Sequence, residues 1–446
     1  MRPRLVSEDE VREICGRKFV EQRRQHLESL LIRSFGGSPR HNKYHNSVAL
    51  SVQSMRQTFG QAGATRLLMR YFVRVGKHLQ GKWSTGFRLN PNAARRVEEH
   101  LLRDDPLSRK PFAPTIRPVA DTGLSFPDSL PVDLAQLERT LDTVRAALRV
   151  RGEDCYYAAS LGSSQSLGAL YRQLLAVRRT VIETGGLPST YVPTKDGRWA
   201  GEHDHHPLRL PRPTRFLALG ERADLWDVDL SNAHLAIALG LFETAYPEFE
   251  LPMLRAYLHH RSEWLDALCR TLPGVSLDDA KGVARAWLYG SKRTNPGSQN
   301  AVIRAPRFPA TLEGLKVWDH LYTELRRAAE LLTLDSPLPV DARDGTRLSY
   351  LLTGWETRIM GRLGKRLLDA GVKLEAWLYD GFLLIQSRAD PTERLEGFLH
   401  DVARDLLAEG YRFDSLGLKA RNVEGLYADV SSCLSTPTRV PTGSTH

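Results

Sequence analysis

Cysteine is scarce in this chain. Four residues in 446, Cys15, Cys155, Cys269 and Cys433, lie more than a hundred positions apart. No pair has the spacing of a zinc site or a redox dithiol, so the thiols read as reduced and inert. No apolar run approaches the roughly 18 residues that a membrane span requires. The N-terminal MRPRLVSEDEVREICGRKF lacks the uninterrupted apolar core and small-residue cleavage site of a secretory leader. A cytoplasmic location without a membrane partner is therefore expected. Internal repeats are absent. Acidic residues are short at one end: positions 1–100 hold 19 Lys+Arg against 8 Asp+Glu. That imbalance accounts for essentially all of the net charge of +10 and the pI near 9.5. It suggests a polyanionic partner, the alternative being a merely solvated basic surface.

The length suits about three average domains, or one with large insertions. With 41% hydrophobic and 26% charged residues, the composition is that of a globular protein with a substantial core. Residues 1–100 read as arginine-rich amphipathic helices, such as VREICGRKFVEQRRQHLESLLIRSF, followed by the connection GGSPRHNKYHNS. Residues 104–131 carry six prolines and no clear periodicity, which marks a linker. Asp133 with Gln136 three residues on predicts a capping box and a helix of about 17 residues. SLGALYRQLLAVRRTVIETGG predicts a second helix, stopped by its glycine pair. From residue 216 the pattern becomes α+β, with strands expected at FLALG, LWDVDL, KLEAWLYDGFLLI and YRFDSLGLKA. The tail 431–446, rich in Ser, Thr and Pro, is expected to be disordered.

Three segments carry chemistry. In LWDVDLSNAHLAIALG, strand alternation puts Trp226, Val228 and Leu230 on one face and Asp227 and Asp229 on the other. Two carboxylates on one face call for a cation, although Asp229 could equally cap the helix that follows. In KLEAWLYDGFLLIQ, Asp380-Gly381 between apolar runs is a type I′ turn signal. Flanks as apolar as WLY and FLLI suggest that this turn faces a cleft. In SLDDAKGVARAWLYGSKR, Ser276 and Asp279 form a capping box. Lys281, Arg285, Leu288 and Tyr289 then fall on one helical face, suited to a triphosphate and a base or, alternatively, to a solvated basic surface.

Together these segments resemble the family A DNA polymerases and the related single-subunit phage-type RNA polymerases, over roughly residues 190–430. Asp229 in DLSNAH resembles the motif A aspartate, and Asp380 in LYDGFLL the motif C aspartate. Lys281 with Tyr289-Gly290 resembles the fingers-helix pattern K-x₇-YG. Lys281 lies 52 residues after Asp229 and Asp380 lies 99 after Lys281, intervals similar to the family's. The segment 196–217 is similar to the one that contacts primer and template, with Arg198 at its core and Arg215 before the first palm strand. TGWETRIMGRL resembles the palm helix, where Glu356 would support the site.

The resemblance implies a right-hand polymerase. Its parts would be a basic helical N-terminal region and linker (1–130), thumb-like helices with the primer and template segment (131–215), a palm (216–245 and 331–430) and fingers (246–330). Asp229 and Asp380 would bind two Mg²⁺ ions, with Mn²⁺ as a substitute, about 3.5–4 Å apart. Lys281 would hold the β- and γ-phosphates, while Arg285, Tyr289, Gly290 and His234 bind the nucleotide. Implied partners are a DNA template and primer, or an RNA product, with dNTPs or rNTPs and other replication proteins. No series of metal carboxylates for a proofreading exonuclease is seen in residues 1–190, and an enzyme this small would suit a phage, plasmid or other mobile element.

Several positions depart from the family pattern. Tyr379 replaces the motif C histidine, and Gly381 replaces the carboxylate that commonly follows the aspartate. Asp227 could substitute for that charge, or simply face solvent. Leu277 stands where an arginine usually helps hold the triphosphate, leaving Arg285 one turn later to take over. His234 stands where DNA polymerases of this family have a glutamate that excludes the ribose 2′-hydroxyl and phage-type RNA polymerases have a glycine. Its bulk favours dNTPs. The alternatives are a primase or RNA polymerase using rNTPs, and a non-catalytic nucleic-acid-binding relic of the fold.

Overall fold

The computed structural model describes residues 5–435 apart from 16–19, 37–47, 51, 75–84, 104–112, 120–121, 154, 156–165, 195–198, 273–274, 296–297, 299, 305–315, 339–341 and 387–389. The strand Leu225–Leu230 organises the molecule. It is an inner strand of a four-stranded antiparallel sheet, ordered Lys373–Trp377, Gly381–Ile385, Leu225–Leu230, Leu418–Asn422. Its sequence LWDVDL alternates, and the alternation sorts side chains between two cores. Trp226, Val228 and Leu230 join Phe382 and Leu384 in one core, as the pattern predicts. That core is closed by helices Ala233–Ala245, Leu277–Leu288, Lys316–Leu334 and Asp344–Asp369.

On the opposite face Leu225, Leu383 and Ala376 belong to a second core. This one is built with helices Leu134–Arg151, Leu167–Thr184, Arg212–Leu219 and Val423–Ser435. The N-terminal helices Glu8–Cys15, Val20–Gly36, Val52–Tyr71 and Pro91–Leu102 share it, so the described part of the basic first hundred residues is packed onto the α/β body through apolar side chains. Both cores press on one sheet, which fixes the residues along it from two sides. Among the described residues, no helix is long and apolar enough to cross a membrane.

Local signals account for much of this. Asp133 caps its helix by accepting from Gln136 N–H at 3.1 Å, and Gly185 stops the next helix in the left-handed region at φ 88°. Gln136 does not complete the box, because its Oε1 accepts instead from Glu221 N–H at 3.2 Å. Four expectations are corrected. FLALG is not a strand: Arg212–Leu219 is a helix, with Pro213 in its first turn, where a missing N–H costs nothing. Within the expected linker, strands Ile116–Val119 and Leu124–Pro127 form a hairpin turning at Gly123, φ 70°, and burying Leu124 and Phe126. Its prolines sit in a two-stranded sheet, where a missing N–H is tolerated. A three-stranded sheet of Val48–Leu50, Thr85–Leu89 and Phe72–Arg74 lies among the N-terminal helices. The tail is helical to Ser435, because Val430 and Leu434 are buried, and residues 436–446 lie outside the described residues.

Candidate active site

The sheet brings Asp229 and Asp380 together. Asp229 pairs in register with Gly381, the residue after Asp380, and Leu230 N–H donates to the Asp380 carbonyl at 2.7 Å. The hairpin closes one residue earlier than its Asp-Gly signal predicts. Leu378 N–H donates to Gly381 O at 2.8 Å, leaving Tyr379 and Asp380 as the two-residue loop. Tyr379 takes the left-handed conformation, φ 63°. A non-glycine residue there is strained by about 1 kcal/mol or more, and such strain concentrates at functional sites.

Gly381 is tied to this approach of the strands. A Cβ on it would stand 2.2 Å from the Val228 carbonyl oxygen and 2.7 Å from Asp229 Oδ1. The absence of a carboxylate at 381 therefore has a steric cause, since the strands are too close to admit any side chain there.

The edge strand Leu418–Asn422 supplies the opposing charge. Lys419 pairs with Asp229 and Arg421 with Asp227 in register, which puts each cation on the same face as its aspartate. Arg421 Nη2 donates to Asp227 Oδ2 at 3.2 Å and to Asp229 Oδ2 at 3.1 Å. Arg212 adds a second guanidinium, with Nη2 donating to Asp227 Oδ2 at 2.9 Å and also to Asp229 Oδ2. Asp229 is thus held by one oxygen, while its Oδ1 lies over Gly381 beside the Asp380 turn. Asp227 is fully buried, not solvent-facing, and anchors the two arginines.

Arg215, expected at primer and template, is itself buried. Its Nη1 donates to the Pro207 carbonyl at 3.2 Å and its Nη2 lies 3.9 Å from Asp227 Oδ1. Arg198 falls outside the described residues. Arg212 and Arg421 were missed in the sequence, although the alternation of Lys-x-Arg at 419–421 matches that of Asp-x-Asp at 227–229.

Burial is the first cause acting on both carboxylates. It pushes Asp229 up, reinforced by Asp227 and opposed by Arg212, Arg215 and Arg421. It pushes Asp380 up to about 7, reinforced by Asp229 and then Glu356. Paired carboxylates raised in this way hold a proton or call for a cation. Among the described residues, no three His, Cys, Asp or Glu side chains gather to hold a metal ion.

Helix Leu277–Leu288 begins as predicted, with Asp279 N–H donating to Ser276 Oγ at 3.1 Å and Ser276 Oγ donating to Asp279 Oδ2 at 2.8 Å. The expected stripe divides in space. Leu288 is buried and Arg285 is exposed, while half-buried Lys281 stands near enough to Lys419 to lower its pKa, after burial, together with Arg261 and Arg421. Tyr289 ends the helix, and Gly290 follows at φ 92°. A cavity of about 640 Å³ opens beside these two residues, lined also by Arg326, Arg343, Asp344 and Tyr350.

His234 joins this helix to the sheet. Its Nδ1 hydrogen-bonds the Tyr289 hydroxyl, and its Nε2 lies 2.6 Å from Glu356 Oε2. Both ring nitrogens are therefore engaged, Nδ1 with Tyr289 and Nε2 with Glu356. Glu356 is 4% exposed, so this bond satisfies a polar group that is shut away from water.

No family model matches the chain, and no curated protein matches it. Among solved structures it is similar to the POL domain of Pol1 from M. smegmatis in complex with DNA primer-template and dNTP. The identity is 15% and the TM-score 0.38, over 90% of this chain and 82% of that one. A likeness at that level carries nothing about chemistry.

Proposed function

We propose that this chain is a template-directed nucleotidyl transferase of the right-hand polymerase plan, a DNA polymerase of family A type, with Asp229 and Asp380 at its centre. One observation carries the reading. Two carboxylates from a strand and the adjoining hairpin meet where burial raises both, with Asp227 adding to the rise of Asp229 and Asp229 to that of Asp380, within a frame of cations. The donor set fits Mg²⁺ or Mn²⁺. Both residues offer hard oxygen ligands, Mg²⁺ takes only one or two protein carboxylates, and Asp229 Oδ1 faces the Asp380 turn while Oδ2 is already held. When bound, such ions supply positive charge to the attacking and leaving oxygens of an in-line phosphoryl transfer.

The chain's own residues do the rest. Arg212 and Arg421 fix the rotamer of Asp229. Lys281 and Lys419 hold the triphosphate of the incoming nucleotide and the charge that develops on its leaving pyrophosphate. Tyr289 offers a ring to the base pair. His234 stands at the sugar with both ring nitrogens engaged, so it contributes bulk and no hydrogen bond to a 2′-hydroxyl. That favours dNTPs.

The test is extension of a labelled primer on a DNA template, with dNTPs and rNTPs in separate reactions and with unprimed template in parallel. Template-dependent dNTP addition that disappears in Asp229→Asn and Asp380→Asn is expected. Products made from rNTPs on unprimed template would replace this reading with a primase or RNA polymerase. Activity that survives both substitutions would remove the site altogether.

A further inference from the structure

A second basic feature lies away from the carboxylates. A groove of about 500 Å³ runs between the N-terminal helices and helices Leu134–Arg151 and Leu167–Thr184. Five arginines line it: Arg88, Arg95, Arg145, Arg149 and Arg172. Two carboxylates, Glu98 and Glu153, lie among them.

Two of the guanidinium groups are braced. Arg145 donates to the Tyr171 hydroxyl from Nε at 3.0 Å and Nη2 at 2.7 Å, and its guanidinium lies 5.6 Å from the Tyr171 ring centroid. Tyr171 in turn donates to Glu98 at 2.9 Å. Arg172 lies 5.9 Å from the Phe35 ring centroid and donates to Glu153 at 3.0 Å. The other three are exposed. Arg95 makes a long surface pair with Glu99, 3.8 Å apart, which is worth little in water. Arg145 and Arg149 stand one helical turn apart on the same face.

Like charges gathered around one groove repel one another, and the two carboxylates offset less than half of them. The cations come from four separate elements and line one groove of about 500 Å³. Five guanidinium groups on one groove exceed what a single small anion can answer. A ligand that does answer them carries several negative charges, as a phosphodiester chain does.

We propose that this groove is a second nucleic-acid site, a track for the sugar-phosphate backbone of a DNA strand. It rests on the polymerase reading only in the choice of ligand. Arg88, Arg95 and Arg149 make exchangeable phosphate contacts, while Arg145 and Arg172, held by their rings and carboxylates, shape the wall.

The experiment measures binding of the full chain to a fluorescein-labelled single-stranded DNA oligonucleotide by anisotropy across a series of potassium chloride concentrations. In Arg88→Ala/Arg95→Ala/Arg149→Ala, three lost contacts are expected to flatten the slope of log affinity against log salt by about 2, at about 0.7 per phosphate for single strands. Over the decade below 1 M salt that slope change is on the order of a 100-fold loss of affinity. Arg88→Lys/Arg95→Lys/Arg149→Lys keeps the charge and is expected to restore most of the slope. A wild-type slope in the alanine variant overturns the proposal, as does a slope lost equally in the lysine variant. Asp229→Asn separates the two readings, since it is expected to stop primer extension and leave the slope unchanged. If the alanine variant keeps the wild-type slope while Asp229→Asn still stops extension, the groove falls and the polymerase reading stands.

Discussion

Gly381→Glu would place a carboxylate directly after Asp380, and the geometry predicts that it destroys the candidate site. The new Cβ would stand 2.2 Å from the Val228 carbonyl oxygen, against a floor of 3.0 Å for real Cβ contacts. The gap to be opened is about 0.8 Å, and the obstructing atom is backbone in an inner strand. Opening it pulls Val228 and Asp229 away from Phe382 and Gly381, their partners in the ladder. Overpacking of this kind costs about 1–3 kcal/mol. Two weakened ladder hydrogen bonds add about 1 kcal/mol each. A total of about 3–5 kcal/mol is a large share of the 5–15 kcal/mol by which a domain is ordinarily stable. The glutamate also brings a further negative charge beside Asp229 and Asp380, where Asp229 already raises the Asp380 carboxyl. Gly381→Ala isolates the steric part. Urea unfolding should show both variants destabilised by that amount, Glu more than Ala, and primer extension should be lost in both. A Gly381→Glu protein as stable as wild type, extending primers as fast or faster, would refute this account of the glycine.

Asp229→Asn and Asp380→Asn should each lower kcat for dNTP addition on the order of 10³-fold or more while leaving affinity for primer-template within a few-fold; titrating Mg²⁺ in a steady-state assay checks both. His234→Ala strips buried Glu356 of its partner and should cost about 3–5 kcal/mol in urea, much of it recovered in His234→Ala/Glu356→Gln, and it should reduce discrimination against rNTPs at least 10-fold, roughly the value of one misplaced contact. Asp380 has a folded pKa raised from 3.8 to about 7, so the metal-free fold binds the proton more tightly than the unfolded chain. Stability is then full below pH 4 and falls as pH rises through 7, by a few kcal/mol at about 1.4 kcal/mol per pH unit. Asp380→Asn should flatten that part of the curve in urea titrations across the range.

How much of this could be read in advance follows from how local each signal is. The alternation of LWDVDL is a property of six consecutive residues, so the sorting of Trp226, Val228 and Leu230 from Asp227 and Asp229 was legible. So were the Ser276 and Asp133 caps, whose partners lie three residues away. The hairpin of 116–127 was hidden because six prolines in 104–131 look like a linker, while the burial that stabilises it comes from distant residues, such as Trp377 and Phe382 against Phe126. FLALG was misread for a similar reason: as an isolated apolar run it suits strand or helix, and Pro213 in the first turn is what favours the helix.

The candidate site divides along the same line. Asp229 and Asp380 were singled out by order and spacing, which survive without knowledge of the fold. Their counter-ions were not, because Arg212 and Arg421 lie on opposite sides of the aspartates in sequence and meet only when the last strand pairs beside Leu225–Leu230. The register was nonetheless written in the chain. A strand carrying Lys-x-Arg can neutralise a strand carrying Asp-x-Asp only if the two run beside each other with both patterns on one face, since slipping by one residue would turn both cations into the opposite core. Buried Asp227 makes that choice costly to reverse, because its charge would be left with fewer partners at 0% exposure. Asp227, expected either to replace a missing charge or to face solvent, is therefore the residue that specifies how the strands carrying the candidate pair are assembled.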